Sequence, residues 1–267
     1  MKKYLFLLSV LALLFACTPQ EMDITPDILS MTEVTLRASF ENTPTTKTTL
    51  VDSTKVYWLP GDEITVFSGK SAARFTSDIK EKAAESSFTG TIAPADKYPA
   101  LYPYTGDASY DGNSIKATLP SGQKATDGNV ANGYLLSAGV SSKDGKIMFR
   151  NLVSGICFTL ESEGVKYVEL HGNDGELIAG SVKVKVDANS VKTEVLSEGG
   201  VSVIRLTAPD DGTFKPGIPY YIICAPTVFS KGLSLEMFKE EDVSAVYSID
   251  GRVELKRSEE RRVGTEC

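Results

Sequence analysis

The residues that most often carry covalent or metal chemistry are scarce, since the 267-residue chain has one histidine and four cysteines. His171 stands in His-Gly-Asn-Asp-Gly, which is typical of a turn, so we expect an exposed ring at a hairpin. A single exposed ring is a poor basis for a histidine metal centre or a Ser-His-Asp triad. The sequence also lacks the G-x-G-x-x-G, phosphate-loop and G-x-S-x-G motifs. It therefore predicts no cofactor, no metal and no enzymatic activity.

Cys17 is the cysteine with the clearest chemistry, because it closes an amino-terminal leader. Lys2 and Lys3 precede an apolar segment, residues 4–15, and the small Ala16 comes directly before Cys17. As a helix this segment would reach about 18 Å, too short for a hydrocarbon core of about 30 Å, so it is predicted to be a cleaved signal. Its end is similar to a bacterial lipobox, in which the cysteine thiol is acylated, for example with palmitate. The alternative is an ordinary secretory signal with an incidental cysteine.

The remaining cysteines are given no reactive role. Cys157 and Cys224 stand in apolar, strand-like surroundings, Gly-Ile-Cys-Phe-Thr-Leu and Tyr-Ile-Ile-Cys-Ala-Pro. We expect them to be buried free thiols that pack as small hydrophobic residues. A disulfide between them is the alternative in an oxidising compartment, and it requires a Cα separation of about 4.4 to 6.8 Å.

Three tyrosines in Tyr-Pro-Ala-Leu-Tyr-Pro-Tyr are the candidate binding residues. Tyr98, Tyr102 and Tyr104 each offer a flat apolar face and a hydroxyl group, as a sugar-stacking platform requires. The alternative is that they pack at the edge of a domain, where the interleaved prolines favour an edge or bulged strand. Segments such as Asp111-Gly112-Asn113 are predicted to be β-turns rather than calcium loops, because they lack the complete ligand pattern.

Composition and charge define the class of protein. The hydrophobic content of 42% is enough for buried cores, and the abundance of Thr, Val, Ser, Tyr and Gly favours strands and turns. The formal net charge is −7, and it becomes −9 when Lys2 and Lys3 leave with the leader. An acidic chain of this kind is an improbable partner for nucleic acid. Its length suits two domains.

The elements that must position these residues are short strands. Residues 34–41 alternate apolar and polar side chains, which predicts a half-buried first strand. The only tryptophan, Trp58, precedes a Pro-Gly-Asp turn and is predicted to fill a core. The most apolar run after the leader, Lys146 to Leu160, is predicted to be one central strand buried on both faces. Residues 165–170 and 177–186 are predicted to be the two arms of a hairpin around His171.

Several segments in order resemble the Bacteroidales-type fimbrillin-like lipoproteins: Thr-Lys-Thr-Thr-Leu, WLPGDEITVF, LYPY, FRNLVSGICFTL, LHGNDGELIAGSV and KPGIPYYIICAPTVFSKGLSLEM. The resemblance spans most of residues 46–258. It implies an all-β protein with two transthyretin-like β-sandwich domains, exported as an outer-membrane lipoprotein at the cell surface or in a fimbrium. The implied function is that of a structural pilus subunit, anchor or tip adhesin in cell adhesion. Its partners would be other fimbrial subunits or further copies of itself, and surface ligands.

The chain is accordingly divided into five parts: a signal peptide, 1–16; a tether, 17–33; an amino-terminal sandwich, 34–145; a carboxy-terminal sandwich, 146–256; and a tail, 257–267. The tail turns abruptly basic and is similar to tails at the ends of fragmentary sequences from unrelated families. We therefore predict that it is non-native and buries little, which would leave the second sandwich incomplete. The alternative is a real last strand around Val263.

The resemblance also implies that the first strand is removable. Fimbrillin-like pilins mature by trypsin-like cleavage, and two basic residues are candidates for it here. Lys47 lies in a Thr-rich loop of extended, accessible character, whereas Arg37 lies inside the first strand, where sheet hydrogen bonds would protect it. The alternative to maturation is a permanent strand and an ordinary loop lysine. The rival function is that of a surface lipoprotein that binds glycan for polysaccharide uptake, with the three tyrosines as its platform.

Overall fold

A computed structural model describes residues 30–41, 57–130 and 133–264 of the chain. These residues form 21 β-strands and one short 3₁₀ turn, Pro209–Asp211, so the all-β prediction is confirmed. No helix within the described ranges is long and apolar enough to cross a membrane.

Seven strands between Thr32 and Asn151 pair into a closed barrel. Their spatial order is β1-β10-β9-β5-β2-β3-β4, and β4 pairs with β1 to complete the ring. The barrel strands are β1 Thr32–Phe40, β2 Glu63–Ser68, β3 Ser71–Ser77, β4 Glu85–Ile92, β5 Pro99–Tyr102, β9 Ser137–Val140 and β10 Lys146–Asn151. All neighbours in the ring are antiparallel except β1 and β10, which run parallel.

The other described strands form four sheets, with the orders β19-β18-β12-β15-β8, β14-β13-β7-β6, β16-β11-β21 and β17-β20. Their bounds are β6 Ser109–Tyr110, β7 Ser114–Leu119, β8 Gly122–Lys124, β11 Ser154–Thr159, β12 Tyr167–Gly172, β13 Ala179–Val186, β14 Val191–Val201, β15 Val203–Thr207, β16 Tyr220–Cys224, β17 Thr227–Phe229, β18 Gly232–Phe238, β19 Val243–Asp250, β20 Val253–Leu255 and β21 Glu260–Gly264.

Most of the buried apolar side chains of the described residues fall into two cores. The smaller one fills the barrel and includes Leu36, Trp58 and Phe149. The larger one lies among the other sheets, yet it also takes in Phe67 and Leu101 from barrel strands β2 and β5. Side chains of a strand alternate between its two faces, so these strands serve both cores. The barrel therefore packs against the other sheets.

The structure corrects the prediction of a single central strand from Lys146 to Leu160. The run is broken at Leu152–Val153, and its two parts are β10, in the barrel, and β11, in the three-stranded sheet. The pairing also crosses the predicted boundary between residues 145 and 146. β10 follows that boundary but closes the barrel, whereas β7 precedes it and pairs with β13. The apolar composition of the run correctly predicted that both of its halves are buried. It could not predict which strands each half pairs with.

The predicted hairpin around His171 is also wrong. Its arms correspond to β12 and β13, but β12 pairs with β15 and β18, while β13 pairs with β7 and β14. The Asn-Asp-Gly turn is present at Gly175, with a φ of 75°, and it carries the chain from one sheet to another.

Cys157 and Cys224 are both free and buried, as predicted. They lie on the paired strands β11 and β16, where Cys157 faces Tyr221 and Cys224 faces Ser154. Burial raises the pKa of the Cys224 thiol to about 12. A thiol with so high a pKa is unreactive at neutral pH because the thiolate is the nucleophile.

The described part of the tail is a strand, so the prediction that it buries little is wrong. β21 runs parallel to β11, and Val263 is 4% exposed within the larger core. Backbone hydrogen bonds hold the segment before β21 against the start of β11. The Ser258 amide donates to the Val153 carbonyl, and the Gly155 amide donates to the Glu259 carbonyl. The non-native origin of this segment stays a prediction, because the pairing of β21 with β11 does not test it.

Candidate functional site: the groove of the first strand

The first strand is an apolar insert in the wall of the barrel. Leu36 and Ala38 are each 1% exposed, and Val34 and Phe40 pack against the same core. The intervening side chains of Thr35 and Arg37 are exposed. This alternation is what the sequence predicts for a strand with one buried face.

β1 is paired along both edges. It runs antiparallel to β4 from the Thr32–Ile92 pair to the Ser39–Glu85 pair, and parallel to β10 over residues 37–40. We call the space between β4 and β10, with the barrel side chains beneath it, the β1 groove. Removal of β1 would leave backbone donors and acceptors unpaired on β4 and on β10, and unpaired edges of this kind recruit other strands.

Aromatic side chains fill the floor of the β1 groove. Trp58 is fully buried, and its indole Nε1 donates a hydrogen bond to the Ala38 carbonyl oxygen at 3.0 Å. The Phe40 ring stacks on it with centroids 4.1 Å apart, and Phe88 and Phe149 meet it edge-on at 4.8 and 5.5 Å. The prediction that Trp58 fills a core is confirmed. Because it bonds β1 directly, it also ties that strand to the barrel.

A glycine on β4 allows close packing beside β1. Gly90 faces Val34 across the β1–β4 pair. A Cβ atom at Gly90 would stand 2.4 Å from Phe75 Cδ2 and 2.7 Å from the Arg74 carbonyl oxygen. The Phe75 ring therefore occupies the space that any side chain at residue 90 would need.

An ionic cluster holds the carboxyl end of β1. The Glu41 amide donates to the Phe149 carbonyl at 2.8 Å, and the Glu41 carboxylate accepts from the Asn151 amide at 3.2 Å. The same carboxylate pairs with Arg257 and lies 3.9 Å from Arg150 Nε. The Arg257 guanidinium also donates to the Asn151 carbonyl at 3.0 Å. The end of β1 is thus linked to β10 and to the segment just before β21.

The two candidate cleavage residues have different positions. Arg37 lies within β1, paired to Ser87 on one side and to Lys146 on the other, and its amide donates to the Gly145 carbonyl at 2.9 Å. A protease needs an extended, unpaired backbone, so the folded strand protects Arg37. Lys47, and the predicted lipidation site Cys17, lie outside the described residues.

The three tyrosines do not form one exposed platform. Tyr98 is 9% exposed, and its hydroxyl accepts a hydrogen bond from the Ala95 amide at 3.0 Å. The Tyr102 ring meets Trp58 edge-on at 5.0 Å, and its hydroxyl donates to Asp62 at 3.3 Å. Burial and the neighbouring Asp62 carboxylate raise the Tyr102 pKa. Only the Tyr104 ring is covered by a cation, the Arg74 guanidinium at 4.2 Å. The positions of these three rings are therefore explained by packing and by contacts with neighbouring side chains.

No family model and no curated protein matches this chain. Solved structures do resemble it at a distance. A "putative cell adhesion protein" from Bacteroides uniformis is 17% identical, with a TM-score of 0.47 over 82% of this chain and 84% of its own. Another from Bacteroides ovatus is 12% identical, with a TM-score of 0.49 over 88% and 92%. The tip fimbrial protein Mfa3 from Porphyromonas gingivalis, with a C-terminal truncation, is 9% identical, with a TM-score of 0.37 over 82% and 81%. Similarities this distant do not assign a function, so the function is inferred from the β1 groove.

Sequence reasoning did not find the Glu41 cluster. Glu41 and Arg257 are 216 residues apart in the chain, and neither stands in a motif. Sequence reasoning also did not predict the hydrogen bond from Trp58 to Ala38. The predicted burial of Trp58 implied only that its indole N–H would need an acceptor.

Proposed function

We propose that this chain is a lipid-anchored fimbrial subunit or adhesin of the bacterial outer membrane, which acts by strand exchange and surface contact rather than by catalysis. The observation that carries the proposal is the β1 groove. β1 is the first described strand, its apolar face fills the barrel, and both of its edges are paired. A strand in this position is the one that a neighbouring subunit can replace.

Chain connectivity makes β1 separable. The strand ends at Phe40, and the next described pairing on the carboxyl side begins at Trp58, which bridges to Ala83. One cut in the intervening segment would leave β1 held only by hydrogen bonds, core packing and the Glu41 cluster. After its departure the open groove would expose apolar side chains and two unpaired edges, and a strand of another chain would satisfy both.

We place this cut after Lys47, because Arg37 is locked between β4 and β10. The anchor in the proposal is an acylated Cys17, which would hold the chain at the membrane before the cut. Because Cys17 and β1 lie on the same side of Lys47, the cut would also free the barrel from the anchor once β1 leaves. More than one acyl chain is needed for stable retention, as lipoprotein processing would supply.

Limited trypsin digestion of the folded protein tests the exchange step. The expected first product, read by intact mass, is a cut after Lys47, followed on mild warming by loss of the β1 fragment and growth of detergent-resistant polymers. First cuts elsewhere would contradict the proposal. So would a cut at Lys47 that leaves only stable monomer.

Two substitutions form a matched pair for this test. Lys47→Gln should abolish both the first cut and the polymers, whereas Arg37→Gln, on the exposed face of β1, should change neither. The anchor is tested separately with Cys17→Ser, which should move the protein from membranes into the soluble fraction. Retention of that variant through a carbonate wash would refute lipidation at Cys17.

A further inference from the structure

The outer face of the five-stranded sheet brings together one imidazole and two carboxylates. Glu169 and His171 are two residues apart on β12, which places both side chains on the same face. Glu236 on β18 is the direct partner of Glu169 in the sheet register. His171 therefore lies within a strand and is about a quarter exposed, at 26% of its side chain, rather than standing free at a hairpin tip as the sequence predicted.

The ligand atoms of this cluster converge. His171 Nε2 lies 3.3 Å from Glu169 Oε2 and 3.6 Å from Glu236 Oε2, and all three atoms fall within 4.8 Å of one another. Ligands in a tetrahedral zinc site with bonds of 2.0 to 2.1 Å are separated by about 3.3 Å. The two distances from His171 Nε2 are close to that spacing, and the two carboxylate oxygens lie within 4.8 Å of each other. Three ligand atoms in this range leave a fourth position for water.

A second observation concerns the hydrogen bonding of the imidazole nitrogen. His171 Nε2 is buried and makes no hydrogen bond to any of the described residues. Its distances to the carboxylate oxygens exceed the usual 2.7 to 3.2 Å range for N–H···O bonds. A buried polar nitrogen without a hydrogen bond is costly, and coordination of a metal by its lone pair would satisfy it.

Arg205 holds one of the carboxylates in place. Its Nε and one terminal nitrogen bond Glu169 Oε1 at 2.8 and 2.7 Å, which leaves Oε2 turned toward His171. The guanidinium is itself fixed 4.2 Å above the Tyr167 ring. Hydrogen bonds of this kind orient ligating carboxylates in metal sites. One guanidinium against two carboxylates leaves the cluster with one excess negative charge when the imidazole is neutral, which favours a cation.

We propose that Glu169, His171 and Glu236 bind one Zn²⁺ ion, which bridges β12 and β18. The mixed nitrogen and oxygen ligand set suits zinc, whereas Ca²⁺ takes six to eight oxygen ligands and Mg²⁺ an octahedral shell of oxygens. The sequence alone could have indicated two of the three ligands, because the glutamate and histidine of Glu-x-His in a strand lie on the same face. The third, Glu236, is identified only by the pairing of β18 with β12. The inference does not rest on the proposed function.

Isothermal titration of the metal-free protein with ZnCl₂ tests the site. The full chain should carry Cys17→Ser and Cys267→Ser, so that these two thiols do not bind the metal. The expected result is one zinc bound per chain, with no binding of CaCl₂ or MgCl₂ under the same conditions. Zinc should also raise the melting temperature, because it binds only the folded arrangement. Absence of zinc binding would overturn the proposal.

Three variants assign the binding to the cluster. His171→Gln and Glu236→Gln each remove a direct ligand, so each should weaken zinc binding by more than the roughly 10- to 100-fold that loss of an outer-shell partner costs. Glu240→Gln, which alters an exposed carboxylate paired with Lys166, should bind zinc as the parent does. Should His171→Gln fail to fold by circular dichroism, the partly exposed Glu236→Gln decides. Zinc binding of parental strength in a folded variant of either ligand would refute the site.

Discussion

Replacement of Trp58 by phenylalanine tests the physical basis of the β1 groove. The change keeps an aromatic ring but removes the indole N–H that bonds the Ala38 carbonyl at 3.0 Å. A buried acceptor deprived of its donor costs about 1 to 3 kcal/mol, and the volume lost from a fully buried ring adds to this. We expect a loss of about 2 to 4 kcal/mol in the free energy of unfolding. For a chain of this size that corresponds to a fall in melting temperature of about 5 to 15 °C.

Thermal unfolding followed by far-ultraviolet circular dichroism measures this loss. Tyr57→Phe is the matched control, because it leaves phenylalanine at the neighbouring position. The Tyr57 ring is only partly buried and lies 4.2 Å from the Lys82 ammonium, away from the hydrogen bond to β1. The control should stay within about 0.5 kcal/mol of the parent. Equal melting temperatures for Trp58→Phe and Tyr57→Phe would show that Trp58 does not hold β1.

The remaining predictions concern β21 and β4. Deletion of residues 257–267 should lower the melting temperature by several degrees, because it removes buried Val263 and the Arg257 partner of Glu41; an unchanged value would show that the tail does not pack. Burial raises the pKa of Glu260 above its usual 4.5 despite Arg262, so the folded state favours the protonated acid and the contribution of Glu260 to stability falls as pH rises above 4.5. Glu260→Gln should therefore melt above the parent by a margin that grows as the pH rises above 4.5, and a constant margin would contradict this. Gly90→Ala should destabilise the barrel, since its Cβ would meet Phe75 Cδ2 at 2.4 Å; a melting temperature equal to the parent's would refute that packing.

The local sequence pattern correctly predicted the elements whose burial depends only on residues nearby in the sequence. The alternation in residues 34–41 gave β1, and the position of Trp58 before a turn gave its burial, because both depend on neighbours a few residues away. The same reasoning identified Cys157 and Cys224 as buried free thiols.

Strand partners could not be predicted in this way, since they are set by residues far apart in the chain. The apolar run from Lys146 to Leu160 gives no sign that it divides between two sheets, because both halves are buried and both are rich in β-branched and aromatic residues. The turn after His171 has the residues of a hairpin, yet its arms join different sheets. The charged tail was predicted to bury little from composition, whereas its register with β11 buries Val263.

The central claim, that β1 leaves its groove and is replaced by a strand of another subunit, is tested most directly by locking β1 in place. Thr35 and Thr89 face each other across β1 and β4, with hydroxyl oxygens 3.1 Å apart, so cysteines at these positions are close enough for a disulfide. A Thr35→Cys, Thr89→Cys protein, in the Cys17→Ser and Cys267→Ser background, is cut with trypsin and its polymers are measured by size-exclusion chromatography. The prediction is that the oxidised protein remains monomeric after cleavage and that the same sample forms polymers when the disulfide is reduced. Equal polymer formation in the oxidised and reduced samples, or none in either, would contradict strand exchange at β1.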